Sequence, residues 1–92
     1  MPRKKAIRYN LHLYAPDGSH SPAKLGLKIR FMDRDWELIG KDDIKRLVLI
    51  SRLAAPDEQP LSPAGIPMPY LVWTMDKDEA WDSARLRWHI VL

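Results

Sequence analysis

Lys41-Asp42-Asp43-Ile44-Lys45-Arg46-Leu47-Val48-Leu49-Ile50-Ser51-Arg52-Leu53-Ala54-Ala55 is the stretch on which the fold turns. Two readings compete for it. As a helix, at about 100° per residue, it places Ile44, Leu47, Val48, Ser51 and Ala55 on one face. The aspartates then sit at the N-terminal, positive end of the dipole. As a strand, Leu47-Val48-Leu49-Ile50 is a short apolar run with β-branched residues, suited to burial on both sides. Length and flanking charge favour the helix, from Lys41 to about Ala55. That helix, which Gly40 precedes, leaves Leu49 and Leu53 opposite its main face. This second apolar patch either receives the next loop or forms the seam of a homodimer through the helix.

Upstream, polar and apolar residues alternate. Ile7-Arg8-Tyr9-Asn10-Leu11-His12-Leu13 reads as one strand and Leu25-Gly26-Leu27-Lys28-Ile29-Arg30-Phe31 as a second. Pro16-Asp17-Gly18-Ser19 is a turn signal in a long polar tip between them. The apolar phase is odd through Phe31 and even at Trp36 and Leu38, so the chain must bulge or turn around Asp33-Arg34-Asp35. Trp36 to Ile39 reads as a short third strand.

Downstream, residues 56 to 69 hold five of the eight prolines and read as a stiff connecting loop. Tyr70 to Met75 resumes as strand, Asp76-Lys77-Asp78-Glu79 reads as an acidic turn, and Ser83 to Val91 closes the chain. Pairing these last two strands as a hairpin puts Trp73 opposite Trp88 on the core side, with Trp81 accessible beside the turn. The order ββ(β)αββ predicts an α+β fold: an antiparallel sheet of four to five strands with one helix packed on one face.

Ninety-two residues make a single small domain. There is no run of apolar residues long enough to span a bilayer, and no partner membrane is expected. Met1-Pro2-Arg3-Lys4-Lys5 is basic but no apolar segment comes after it, so it reads as a flexible N-terminus rather than a signal peptide. The chain has no cysteine, which fits a reducing, cytoplasmic setting. Residues 1 to 30 carry seven Lys/Arg and one acid, whereas residues 31 to 92 carry eight and eleven. Such segregation points to a polyanion or an acidic protein as partner.

If the strands share one sheet, Arg8, His12, Lys28, Arg30, Arg85, Arg87 and His89 converge on its open face, with Tyr14 and Tyr70 among them. Lys and Arg neutralise phosphates, and exposed aromatics stack on bases. Nucleic acid is thus the most concrete partner for a non-catalytic binding protein. The same face would equally suit a small regulator or inhibitor docking on an acidic protein surface, and a merely solvated face would look similar. No RNP-type, zinc-finger or helix-turn-helix pattern separates these readings.

Other constellations carry less. Asp33, Asp35 and Glu37 have the spacing of three carboxylates on one side of a strand, but the phase slip there reads as a solvated turn rather than a cation site. His12 and His89 face each other across the sheet and His20 sits in the hairpin tip. Surrounding cations argue against metal binding, and neither metal nor cofactor is expected. The serines lie outside any nucleophile motif, and the glycines form no phosphate loop. Pro60-Leu61-Ser62-Pro63 matches PxxP without a flanking cation and reads as rigid loop.

Overall fold

The computed structural model describes residues 7–58 and 60–91; the basic N-terminus expected to be flexible lies outside them. The described chain runs β1 (Tyr9–Tyr14), β2 (His20–Pro22), β3 (Lys28–Phe31), β4 (Arg34–Asp42), β5 (Leu47–Leu53), β6 (Tyr70–Met75), α1 (Lys77–Ala84) and β7 (Leu86–Ile90). The fold is α+β, with antiparallel strands and one helix. The strands divide into two sheets, ordered β2-β1-β7 and β3-β4-β5-β6.

The helix expected over residues 41–55 is not there. Those residues form the end of β4, a turn, and β5, which is hydrogen-bonded on both sides. The cap signal has a local counterpart: the Asp42 carboxylate accepts from the backbone N–H groups of Ile44 and Lys45, as an N-cap does. Arg46 then adopts the left-handed region at φ 56° and the chain reverses instead of winding on. β5 is a central strand, so Val48 and Ile50 are fully buried in the core and period two replaces period 3.6. Leu49 and Leu53 therefore lie on a sheet face, and no helix exists there either to receive the loop or to form a dimer seam.

The phase slip after Phe31 has a simple cause. Met32 and Asp33 occupy a two-residue turn with φ 51° and 59°, the geometry of a primed hairpin. Partners across that hairpin have opposite parity, as in Ile29↔Trp36, so one face is odd on β3 and even on β4. A second irregularity falls at Ile39, where the β4–β5 register shifts between Leu38 and Gly40, a bulge.

The helix lies where a turn was expected. Asp76 is its N-cap, accepting from the N–H groups of Asp78 and Glu79. The acidic first turn complements the dipole. Arg85, at φ 55°, ends the helix as a left-handed cap. Its two buried residues, Ala80 and Ala84, let it approach closely. It packs on β7 and reaches β3, β5 and β6, joining the sheets over one core that includes Leu11, Ile29, Phe31, Trp36, Leu38, Val48, Ile50, Met75 and Leu86.

β6 pairs with β5 rather than with the closing strand. Tyr70, Val72 and Thr74 therefore do not share a sheet with Arg85, Arg87 and His89. Trp73 faces Ile50, not Trp88, and stays 38% exposed, with its indole N–H donating to Glu79 at 2.7 Å. The deeply buried tryptophan is Trp36, whose indole N–H donates to the Phe31 carbonyl. Trp88 and Trp81 are half-buried.

The Pro-rich connection is anchored at its start. Arg52 points toward the core side of β5, its guanidinium 5.0 Å from the Trp36 ring centre, and its side chain is 13% exposed. It donates two hydrogen bonds, of 2.8 and 2.7 Å, to the Glu58 carboxylate, which also accepts from the Ala55 N–H. These donors, the guanidinium first, pull the Glu58 carboxyl down to about 2. Beyond the clamp, residues 60–69 are loop apart from one bridge between Leu61 and Pro67.

Candidate functional site

β1 pairs with β7 so that Leu11 and Trp88 oppose each other, as do Leu13 and Leu86. These side chains face the core. By alternation the other face carries Asn10, His12 and Tyr14 from β1 and Arg87 and His89 from β7. β2 adds His20 directly across from Tyr14. Three of the short strands thus supply one compact aromatic and cationic surface.

The histidine rings converge there. Ring centres lie 4.7 Å apart for His12 and His89, 5.0 Å for His12 and His20, and 5.1 Å for His20 and His89. The Nδ1 atoms of His12 and His20 are 3.0 Å apart. Tyr14 stacks on His20 at 4.6 Å and on His89 at 5.7 Å. Its hydroxyl is hydrogen-bonded to Nε2 of His89 at 2.7 Å. His89 pairs in register with Asn10, four residues from Tyr14, so the two side chains reach along the sheet to meet. Burial holds the His89 imidazole below the usual histidine range, and the nearby His12, His20 and Arg87 push the same way.

Trp81 joins this surface from α1, its ring edge-on to Tyr14 at 5.3 Å. Arg87 lies over the indole at 4.4 Å and Arg85 at 5.1 Å. Arg87 also approaches the Tyr14 ring at 5.9 Å. Among the described residues, none of the carboxylates forms an ion pair with Arg8, Arg85 or Arg87. Stacking fixes the guanidinium planes while leaving their N–H edges free for an anion. Next to them is an open cleft of about 520 Å³ whose lining includes Tyr14, Pro16, Trp81 and Arg85.

No family model matches this chain, and no curated protein or solved structure matches it significantly. The functional reading therefore rests on the site's own geometry.

The expected basic surface is split. Arg8, His12, Tyr14, Arg85, Arg87 and His89 gather at the three-stranded sheet. Lys28 and Arg30 lie on β3 of the other sheet, and each is neutralised across the hairpin. Lys28 pairs with Glu37 at 2.9 Å and Arg30 with Asp35 at 3.2 Å. The carboxylates singled out as a possible cation site are therefore engaged by cations, and Asp33 is in the turn. Tyr70 and Leu53 pair with each other on the outer side of β5 and β6. With Lys28, Asp35 and Glu37 they line a separate depression of about 550 Å³. Leu53 is 65% exposed, and Leu49 is half-buried. Two contributors escape the reading of the sequence. His20 reads there as part of a loop tip, although Ser21 and Pro22 continue β2 beside it. Trp81 reads as flanking a turn, although Asp76 and Glu79 have the spacing of a helix start.

Proposed function

We propose that the chain is a non-catalytic binding protein that engages the phosphate backbone of nucleic acid with the aromatic, cationic face of its three-stranded sheet. The observation that carries this reading is the pair of unneutralised guanidiniums, Arg85 and Arg87, held over Trp81 beside Tyr14. Guanidinium edges are matched to phosphate oxygens. Tyr14, His20 and Trp81 are rings of the kind on which unpaired bases stack, and such stacking tolerates any base. A single-stranded segment lying across β2, β1 and β7 uses both features. A small accessory domain docking on an acidic protein through the same arginines is the competing reading, and binding at low salt separates the two.

The test is binding of labelled single-stranded RNA and DNA at several salt concentrations, with EDTA present. Wild type should bind at low salt, and affinity should fall steeply as salt rises. Arg85→Ala with Arg87→Ala should weaken binding and lower the slope of log affinity against log salt by about 1.4, two phosphates at roughly 0.7 each for single strands. Lys28→Ala with Arg30→Ala should leave both affinity and slope nearly unchanged, because those cations already have carboxylate partners. Absence of binding at low salt would overturn the nucleic-acid reading in favour of the acidic protein. Equal losses in the two double variants would remove the special role of the three-stranded sheet.

A further inference from the structure

We propose that His12, His20 and His89 form a three-imidazole binding site for a divalent transition-metal ion, Zn²⁺ in the first instance. The inference does not depend on nucleic-acid binding. Each ring offers one ligand nitrogen, and the three nitrogens lie within 4.8 Å of one another. In a tetrahedral site with Zn–N bonds of 2.0–2.1 Å, ligand nitrogens are about 3.3 Å apart. The His12 and His20 Nδ1 atoms, at 3.0 Å, are slightly closer than that separation. Bringing in the third requires side-chain rotation of the order of an ångström, not movement of the strands.

The backbone supplies the preorganisation. Each histidine comes from a different strand of one hydrogen-bonded sheet, so their Cα positions are fixed by the β2-β1-β7 register. The Tyr14 hydroxyl on Nε2 of His89 sets which nitrogen of that ring is free to ligate, the task a supporting hydrogen bond performs around a metal. The His12–His20 Nδ1 contact is a hydrogen bond in which one ring donates to the other, so an ion bound there displaces that proton. The donor set is all imidazole, which suits Zn²⁺, Cu²⁺, Ni²⁺ and Co²⁺ and does not suit Mg²⁺ or Ca²⁺. Arg87 adds a repulsive charge that lowers affinity, but it stacks on Trp81 and Tyr14 and takes no ligand position. Three protein ligands leave the fourth position to water or to a ligand from solution.

The chain has three histidines and no cysteine, so the site uses every imidazole it has. The experiment titrates the untagged full chain with Zn²⁺ by calorimetry, in the absence of nucleic acid. Co²⁺ serves as a spectroscopic probe, because tetrahedral Co²⁺ has intense visible bands. One ion should bind per chain, Co²⁺ should give the tetrahedral spectrum, and Zn²⁺ should raise Tm in a concentration-dependent way. His20→Ala changes an exposed side chain on the short strand β2, so the fold should survive. It should abolish the Tm shift and weaken Zn²⁺ binding beyond the 10–100-fold that loss of a supporting residue costs. His12→Ala and His89→Ala should do the same, while Tyr14→Phe should cost less than any of them. Failure of wild type to bind one Zn²⁺, or unchanged binding and Tm shift in folded His20→Ala, would overturn the site.

Discussion

Replacing Ile50 and Ile44 separately with alanine tests the central feature of this fold. Ile50 is 0% exposed in the middle of β5, and Ile44 is 79% exposed in the turn before it. A helix over the same residues would bury Ile44 on its main face. Ile50→Ala removes three carbon groups, worth about 0.8 kcal/mol each in transfer, or roughly 2.4 kcal/mol. The cavity left in a central strand adds about another 1 kcal/mol, for a total of about 3.5 kcal/mol. In a domain of this length each kcal/mol moves Tm by roughly 4–8 °C, so the expected fall is roughly 14–28 °C. Ile44→Ala should stay within about 0.5 kcal/mol of wild type. Urea unfolding monitored by both circular dichroism and tryptophan fluorescence gives the two values, with an unchanged m-value as the check that only stability moved. A larger loss from Ile44→Ala than from Ile50→Ala would refute the strand assignment and restore the helix.

Glu58 has a folded-state pKa near 2 against an ordinary 4.5, so its pairing with Arg52 stabilises the fold above the unfolded value. That contribution is lost as pH falls from about 4.5 toward 2. Glu58→Gln should be less stable than wild type at neutral pH, and the gap should close across that window in acid-unfolding curves. Arg85 holds a left-handed conformation at φ 55°, where a residue with a Cβ is strained by about 1 kcal/mol. Arg85→Gly should therefore raise Tm while weakening polyanion binding, and a parallel loss of both would show that the side chain serves the fold instead.

Strand existence and facing were legible wherever alternation was strict and local. Leu11 and Leu86 are buried with Arg87 and His89 on the opposite face of their sheet, and Ile29 and Phe31 are buried with Lys28 and Arg30 opposite them, as their parity requires. What alternation does not encode is which strands pair. β3 and the closing strand have the same alternating pattern, yet one pairs with β4 and the other with β1. The charges of Asp35 and Glu37 held the missing information, because carboxylates opposite Arg30 and Lys28 favour that hairpin by cross-strand attraction. Reading them as a solvated turn hid both the pairing and the neutralisation of two cations.

The helix and strand errors share one physical origin. Asp42 and Asp76 both cap exposed N–H groups with a carboxylate, and the local chemistry is the same. The residues downstream of each cap decide the outcome. After Asp76 come Asp78, Glu79, Ala80 and Ala84, residues that suit a short helix able to lie close against the sheets. After Asp42 come Val48 and Ile50, whose β-branched side chains lose rotamer freedom in a helix and pack well on a pleated surface. With β4 on one side and β6 on the other, burial of that run outweighs its length and flanking charge. The same placement moves Trp81 onto a helix and carries it to the edge of the three-stranded sheet. There it can hold Arg85 and Arg87, which no strand pattern by itself would bring to one aromatic ring.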